Sequence, residues 1–282
     1  MRSGLPEIST TADDDYTPDA GEWAEDKGRR VAYYCAEFAT AMKDRWDVRV
    51  YIDLFAGAGK VHARETDKVL LGSPLLALAV RHPFDRYIFC EQARGNLRAL
   101  KSRVTAMHPQ AQVSYIEGDV NASTEAILRA MPTPSKGRRV LGFCFADPFK
   151  LKNLKFSTIE TLATRYMDFL VHVPAMDPTR AWSRYLKPGN HTVDEFLGTS
   201  GWRKDWHQAN PKPPPDVFLV RAFAKQMNGL DFKYGGLEDA VSVRSTEKNL
   251  LLYRLVFFSK HPLGGKFWRQ AKKGTSPQMD MF

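Results

Sequence analysis

The sequence predicts an α/β protein: a mostly parallel sheet with a C-terminal antiparallel hairpin, plus a mainly helical insertion. Three observations predict it. Short apolar runs alternate with stretches of helical periodicity along most of the chain. Four of the five runs read as parallel strands end in a carboxylate, at Asp53, Glu91, Glu117 and Asp147. Open α/β sheets bind ligands at those carboxyl ends. Finally, the apolar runs 240–244 and 250–258 are separated by only five residues, Ser245-Thr246-Glu247-Lys248-Asn249. So short a link suits an antiparallel pair and not a parallel crossover.

Each element has its own signal. Val31, Tyr34, Cys35, Phe38, Ala39 and Met42 fall at helical spacing, which predicts a helix over 23–42 leading into the first strand. That strand is the run Val50-Tyr51-Ile52-Asp53, rich in β-branched and aromatic residues as a strand buried on both faces should be. Residues 60–71 read as a polar, irregular loop. Ser73 can then cap a short helix whose first turn suits Pro74. Further strands are expected at 86–90, 112–116, 140–146 and 167–173, with helices at 97–107 and near 123–130. Residues 175–240 break the rhythm with Trp182, Trp202, Trp206, a run of three prolines from Pro213, and a capping-box pattern at Thr192…Glu195. The expected organisation is a flexible acidic arm at 1–20 and a core made of 21–174 with 241–260. A helical substrate or partner lobe at 175–240 and a basic tail at 261–282 complete it.

With 282 residues, 43% of them hydrophobic, the chain can bury one large core. The net charge of +9 hides an asymmetry: residues 1–27 hold eight acids and two bases, so the remainder carries +15. A body this basic predicts a polyanionic partner, nucleic acid first. Cys35, Cys90 and Cys144 are far apart, with no C-x-x-C, which suggests neither a disulfide framework nor a zinc site. The polar N-terminus lacks a signal-peptide pattern and no apolar run reaches membrane-span length, so a cytoplasmic location is expected. The seven histidines show no metal-ligand spacing, and His172, inside an apolar run, reads as a core residue.

The residues with chemical potential cluster at the strand ends. After Asp53 the chain runs Leu54-Phe55-Ala56-Gly57-Ala58-Gly59, where glycines let the backbone turn sharply and approach a ligand. The pattern differs from the dinucleotide fingerprint G-x-G-x-x-G. It resembles the first motif of class I S-adenosylmethionine-dependent methyltransferases. Glu91 is placed to accept hydrogen bonds from ribose hydroxyls, and Asp119 from an adenine amino group, with Val120 packing on the ring. Asp147-Pro148-Phe149 resembles the D-P-P-Y/F motif of methyltransferases acting on an exocyclic or amide nitrogen, although Lys150 follows and the second proline is missing. That chemistry needs an oxygen to orient the amino group and an aromatic face to hold a planar substrate.

Toward the C-terminus, Lys260, Lys266, Trp268, Arg269, Lys272 and Lys273 form a basic, aromatic stretch without an acid. Such a stretch can contact phosphates and stack on bases. The chain ends Gln278-Met279-Asp280-Met281-Phe282, which resembles the pentapeptide that binds the bacterial sliding clamp. Taken together, Asp53-Leu54-Phe55-Ala56-Gly57, Gly72-Ser73-Pro74-Leu75, Glu91, Gly118-Asp119 and Ala146-Asp147-Pro148-Phe149 give the chain a resemblance to the three-Cys-motif partner protein (TcmP) family over roughly residues 20–260. The resemblance implies a Rossmann-like class I methyltransferase fold, S-adenosylmethionine as cofactor and a partner resembling radical-SAM enzymes. The expected activity is methyl transfer to nucleic acid, DNA before RNA, at a base nitrogen. Two alternatives stay open: a non-catalytic DNA-binding accessory to the three-Cys-motif protein, and a small-molecule methyltransferase.

Overall fold

The computed structural model describes residues 5–21, 23–245 and 249–274. The chain forms two compact units, one of residues 1–145 with 266–282 and one of residues 146–265. In the first, β1 (Ser9–Thr10) and β2 (Asp19–Ala20) precede α1 (Trp23–Met42) and β3 (Val48–Asp53). A hairpin of β4 (Lys60–Ala63) and β5 (Lys68–Leu71) follows, then α2 (Ser73–Leu78), β6 (Arg86–Glu91) and α3 (Arg94–Met107). The series closes with β7 (Val113–Glu117), α4 (Thr124–Ala130) and β8 (Val140–Ala146).

The parallel strands of this unit lie in the order β8-β3-β6-β7. Every residue of β3 and β8 is buried, which is why both read as continuous apolar runs and not as alternating ones. The predicted face of α1, with Val31, Tyr34, Cys35, Phe38, Ala39 and Met42, is the buried one. Tyr34 meets Phe143 of β8 at 4.7 Å, and Phe38 stacks on Phe84 at 5.7 Å. Elements expected at 112–116 and 97–107 are found at Val113–Glu117 and Arg94–Met107. The helix at Ser73 is capped by Gly72, so Ser73 is its first residue and not its cap.

Two expectations are corrected here. Residues 60–71 are a β-hairpin and not an irregular loop, and residues 5–20 are not a flexible arm. β1 pairs antiparallel with β5 and β2 pairs parallel with β4, giving a small sheet of order β1-β5-β4-β2. Between its two ends, Asp13 grips Lys60 Nζ at 2.8 Å and Arg103 Nη2 at 2.6 Å. The Arg103 side chain is only 1% exposed and that of Lys60 7%. Two cations so buried need an anion, and the arm supplies it. Acids that read as a solvated tail are therefore partly structural.

The second unit holds α5 (Phe156–Leu162), β9 (Met167–Pro174), α6 (Met176–Leu186), α7 (Thr192–Leu197), α8 (Trp202–Gln208) and α9 (Pro215–Gly229). Then come β10 (Tyr234–Gly235), β11 (Val241–Arg244) and β12 (Leu251–Ser259). β12 is antiparallel to β9, β10 and β11, so the expected reversed pair at the C-terminal end is present. The insertion is helical as expected. Trp182 packs on Trp206 at 5.0 Å and on Trp202 at 5.4 Å, with Phe218 5.2 Å from Trp206. Asp194 organises it, accepting from Trp202 Nε1 at 2.6 Å and pairing with Arg203. The capping box is absent: His191 is the cap, and Glu195 pairs with Lys155 at 2.9 Å. The insertion does not stand apart from β9 and β12, because α9 packs on both strands. α10 (Pro262–Gly274) ends the described chain, its residues from Lys266 onward belonging to the first unit. Among the described residues no helix is long and apolar enough to cross a membrane.

The hydrogen bond from Arg103, aided by Lys60, holds the Asp13 carboxyl well below the usual carboxylate range despite burial. Because the folded-state pKa is depressed, this latch contributes fully above the unfolded value of about 4 and is lost as pH falls further. Wild type should therefore melt above Asp13→Asn by a constant margin from about pH 8 to pH 5, and the margin should shrink below about pH 4. Identical melting profiles at all pH values would show that no latch exists.

Candidate functional site

Strand order reverses at β3: the next strand in sequence, β6, lies on one side and β8 on the other. The carboxyl end of β3 is therefore a topological switch point, the crevice where open α/β sheets bind ligands. Asp53 closes the strand, fully buried, accepting from Tyr51 Oη at 3.0 Å and from the Phe55 amide at 3.2 Å. The glycine loop then turns away, with the Ala56 amide donating to the Cys90 carbonyl at 2.9 Å. The Gly57 amide donates to Glu91 Oε2 at 2.8 Å, while Glu91 Oε1 accepts from the Ala93 amide at 2.7 Å. Glu91 thus ties the glycine loop to the start of α3.

The two glycines serve different ends. Gly57 has φ +63°, and a Cβ there would meet nothing within 4 Å. That is open space beside the loop. Gly59 has φ +84°, and its Cβ would stand 2.8 Å from Leu100 Cδ1. Here glycine permits close packing against α3. At the end of β7, Asp119 Oδ1 accepts from the amides of Asn121 at 2.9 Å and Ala122 at 3.2 Å, a turn that leads into α4. Glu91 and Asp119 are both partly exposed. Phe55 is half-buried and Ala56 buried, whereas Val120 is only 3% exposed and belongs to the core, not to a ring-packing surface. Burial pushes the Cys90 thiol up to about 12, and holds Cys35 and Cys144 well above their ordinary value. Burial thus favours the protonated thiol at neutral pH. Among the described residues no cluster of three or more His, Cys, Asp or Glu could hold a metal.

The second unit opens with the other candidate group. Asp147, which follows β8, pairs with His172 Nδ1, and the Tyr253 ring lies 4.2 Å from that imidazole. His172 is a partner of the candidate catalytic carboxylate, not merely the core residue expected. The signal missed was its position near the end of the strand that follows Asp147. Pro148 is buried, whereas Phe149 is 83% exposed, with Lys150 Nζ 5.6 Å from its ring centroid. Buried Leu151 and Leu154 anchor the 3₁₀ turn over Leu151–Asn153, and the Lys150 amide donates to Asn153 Oδ1 at 2.9 Å. An anchored turn thus presents one aromatic ring beside Lys150, and Lys152 is exposed on the same turn.

The basic tail is only partly as expected. Trp268 is fully buried, 6.0 Å from Tyr34, so it cannot stack on a base. Lys260 donates to the Ala163 carbonyl at 3.2 Å and lies over the Phe232 ring at 4.8 Å, which makes it structural. The burial of Trp268 follows from α10, an amphipathic helix that buries Trp268 and Ala271 and leaves Lys266, Arg269 and Lys273 exposed, with Lys272 half-buried. Gln278, Asp280, Met281 and Phe282 lie outside the described residues.

No family model matches the chain. No curated protein matches it either. Among solved structures it is similar to protein LPL1258 of Legionella pneumophila, described by the family model DUF519, at 12% identity and TM-score 0.53. That likeness covers 88% of this chain and 91% of the other, and it shows a shared fold. Weaker likenesses include the O-methyltransferase TomG of Streptomyces achromogenes, solved with SAM (11% identity, TM-score 0.42, covering 83% and 80%). Another is an O-methyltransferase of Bacillus cereus solved with SAH (12% identity, TM-score 0.41, covering 91% and 85%). The Rossmann-like α/β class rests on this chain's own topology together with the Legionella likeness.

The loop geometry predicts distinct costs for the two glycines. Gly59→Ala should destabilise by about 2–3 kcal/mol, through strain at positive φ plus the clash with Leu100. Gly57→Ala should cost about 1 kcal/mol, from φ alone. Urea unfolding would measure both, and equal losses would contradict the assignment.

Proposed function

We propose that the first unit binds S-adenosylmethionine and that the protein transfers its methyl group to a nitrogen of a nucleobase, in DNA before RNA. The observation that carries this reading is the Glu91–Gly57 clasp beside open space at the switch point. A carboxylate held by two backbone amides is aimed before any ligand arrives, and such an acid can accept from ribose hydroxyls. Asp119 would take the adenine amino group, while Asp53 and Phe55 shape the loop that receives the methionine end. The cofactor supplies an activated methyl group on a sulfonium sulfur. Alignment and exclusion of water are then the chain's main tasks, with no nucleophilic triad or metal needed.

Asp147 would accept from the amino group of the acceptor base and orient its nitrogen lone pair. His172 holds the Asp147 carboxylate in place, and Pro148 stiffens the backbone between them and the turn. An 83% exposed phenylalanine beside Lys150, with Lys152 exposed on the same turn, supports a flat, anionic substrate. Phe149 would stack on the base while Lys150 and Lys152 meet phosphates, an arrangement suited to a base taken out of its stack. Lys266, Arg269, Lys272 and Lys273 would add phosphate contacts along α10.

The missing second proline after Asp147 favours a second reading, an accessory protein that binds nucleic acid without methylating it. The resemblance to three-Cys-motif partner proteins suggests a radical-SAM-like companion for it, and residues 278–282 would recruit a sliding clamp. The deciding experiment incubates methyl-labelled S-adenosylmethionine with single-stranded DNA, RNA and free nucleosides. We expect label in DNA, reduced on the order of 100-fold or more by Asp147→Ala. Phe149→Ala should weaken DNA binding, which should itself fall steeply with salt. Salt-dependent DNA binding without label would favour the accessory reading, and label only in nucleosides would point to a small-molecule acceptor.

A further inference from the structure

The N-terminal segment 11–18 is fastened at both ends, by β1 to one edge of the β4–β5 hairpin and by β2 to the other. It therefore crosses the hairpin, and what it grips on the way is the glycine loop's own support. Lys60, the residue directly after Gly59, donates to the Thr11 carbonyl at 2.9 Å and pairs with Asp13. Arg103 Nη1 donates to the Ala58 carbonyl at 2.7 Å and to the Tyr16 carbonyl at 3.1 Å. Its Nη2 donates to the Asp15 carbonyl at 3.0 Å and to Thr17 Oγ1 at 2.7 Å. One buried guanidinium thus joins the residue between the two loop glycines to four residues of the segment.

Tyr16 is the exception within this well-fastened stretch. Its carbonyl shares a nitrogen with the carbonyl of Ala58, yet its side chain is 61% exposed. The strap uses polar and backbone bonds, so the aromatic ring contributes little to holding it closed. A large exposed ring, on a residue whose backbone is joined to the glycine loop through Arg103, is suited to a ligand with an apolar or planar face.

We propose that residues 11–18 form a strap that walls the cofactor site and that Tyr16 is a ligand-contacting residue of that site. The inference rests on the reading of the glycine loop as the place where the cofactor binds. Arg103 is a positioning residue: it holds the loop through Ala58 and the strap through Asp13, Asp15, Tyr16 and Thr17. A ligand that settles the loop then also settles the strap.

Calorimetric titration with S-adenosylhomocysteine tests this on the full chain, comparing wild type, Tyr16→Ala, Tyr16→Phe and Glu91→Ala, with amide exchange of residues 11–18 followed in parallel. Because the ring is exposed, Tyr16→Ala should melt with wild type yet bind about tenfold more weakly, while Tyr16→Phe stays within about twofold. Saturating ligand should slow exchange across 11–18. If Glu91→Ala loses affinity while Tyr16→Ala binds as wild type does, or exchange across 11–18 is unchanged, the strap proposal is overturned alone. If wild type does not bind, the cofactor reading fails and takes the strap with it.

Discussion

A glycine loop after a buried strand has little to hold its shape, since its residues carry almost no side chain to pack. In this protein the restraint is the Glu91 carboxylate, which receives the Gly57 amide at 2.8 Å and the Ala93 amide at 2.7 Å. The clasp works only because β6 lies beside β3 in parallel register, with Asp53 opposite Phe89, two residues before Glu91. From the other side Arg103 holds the Ala58 carbonyl at 2.7 Å, and Asp13 compensates the buried guanidinium. Loop, helix α3 and N-terminal strap are thus parts of one arrangement. Loss of one member leaves a buried charge or amide unpaired, a cost set by desolvation more than by the lost bond.

The sheet was legible because strands buried on both faces cannot alternate. The runs in Val48–Asp53 and Val140–Ala146 announce themselves by continuous apolarity, and their ends by the acids that follow. The glycine loop and Glu91 were legible for the same reason. What the sequence hid were pairings set by distance in three dimensions. Asp13 and Arg103 lie 90 residues apart. Neither residue shows locally that an acid in a polar arm will neutralise a base on a helix. Residues 60–71 were misread because burial along β4 and β5 does not alternate, so no period-two pattern marks these short strands.

Side chains at the candidate catalytic position show the same limit. His172 sits among apolar neighbours in sequence, and only the fold brings it to Asp147. Trp268 looked like a stacking residue beside lysines, yet on α10 it takes the buried face and pairs with Tyr34. Phe149, by contrast, was singled out from its motif and, among the described residues, is the most exposed of the large hydrophobic ones. The anchored turn that follows it keeps that ring at the surface. The exposed Phe149 ring beside Lys150 and the basic body of the chain are the features on which the proposal of a nucleic-acid substrate rests.

The most direct measurement is a crystal structure of the protein with S-adenosylhomocysteine. The account predicts ligand density beside Gly57, with the ribose hydroxyls donating to Glu91. A ligand bound elsewhere, or a saturated crystal in which the space at Gly57 stays empty and Glu91 contacts nothing but the Gly57 and Ala93 amides, would contradict it.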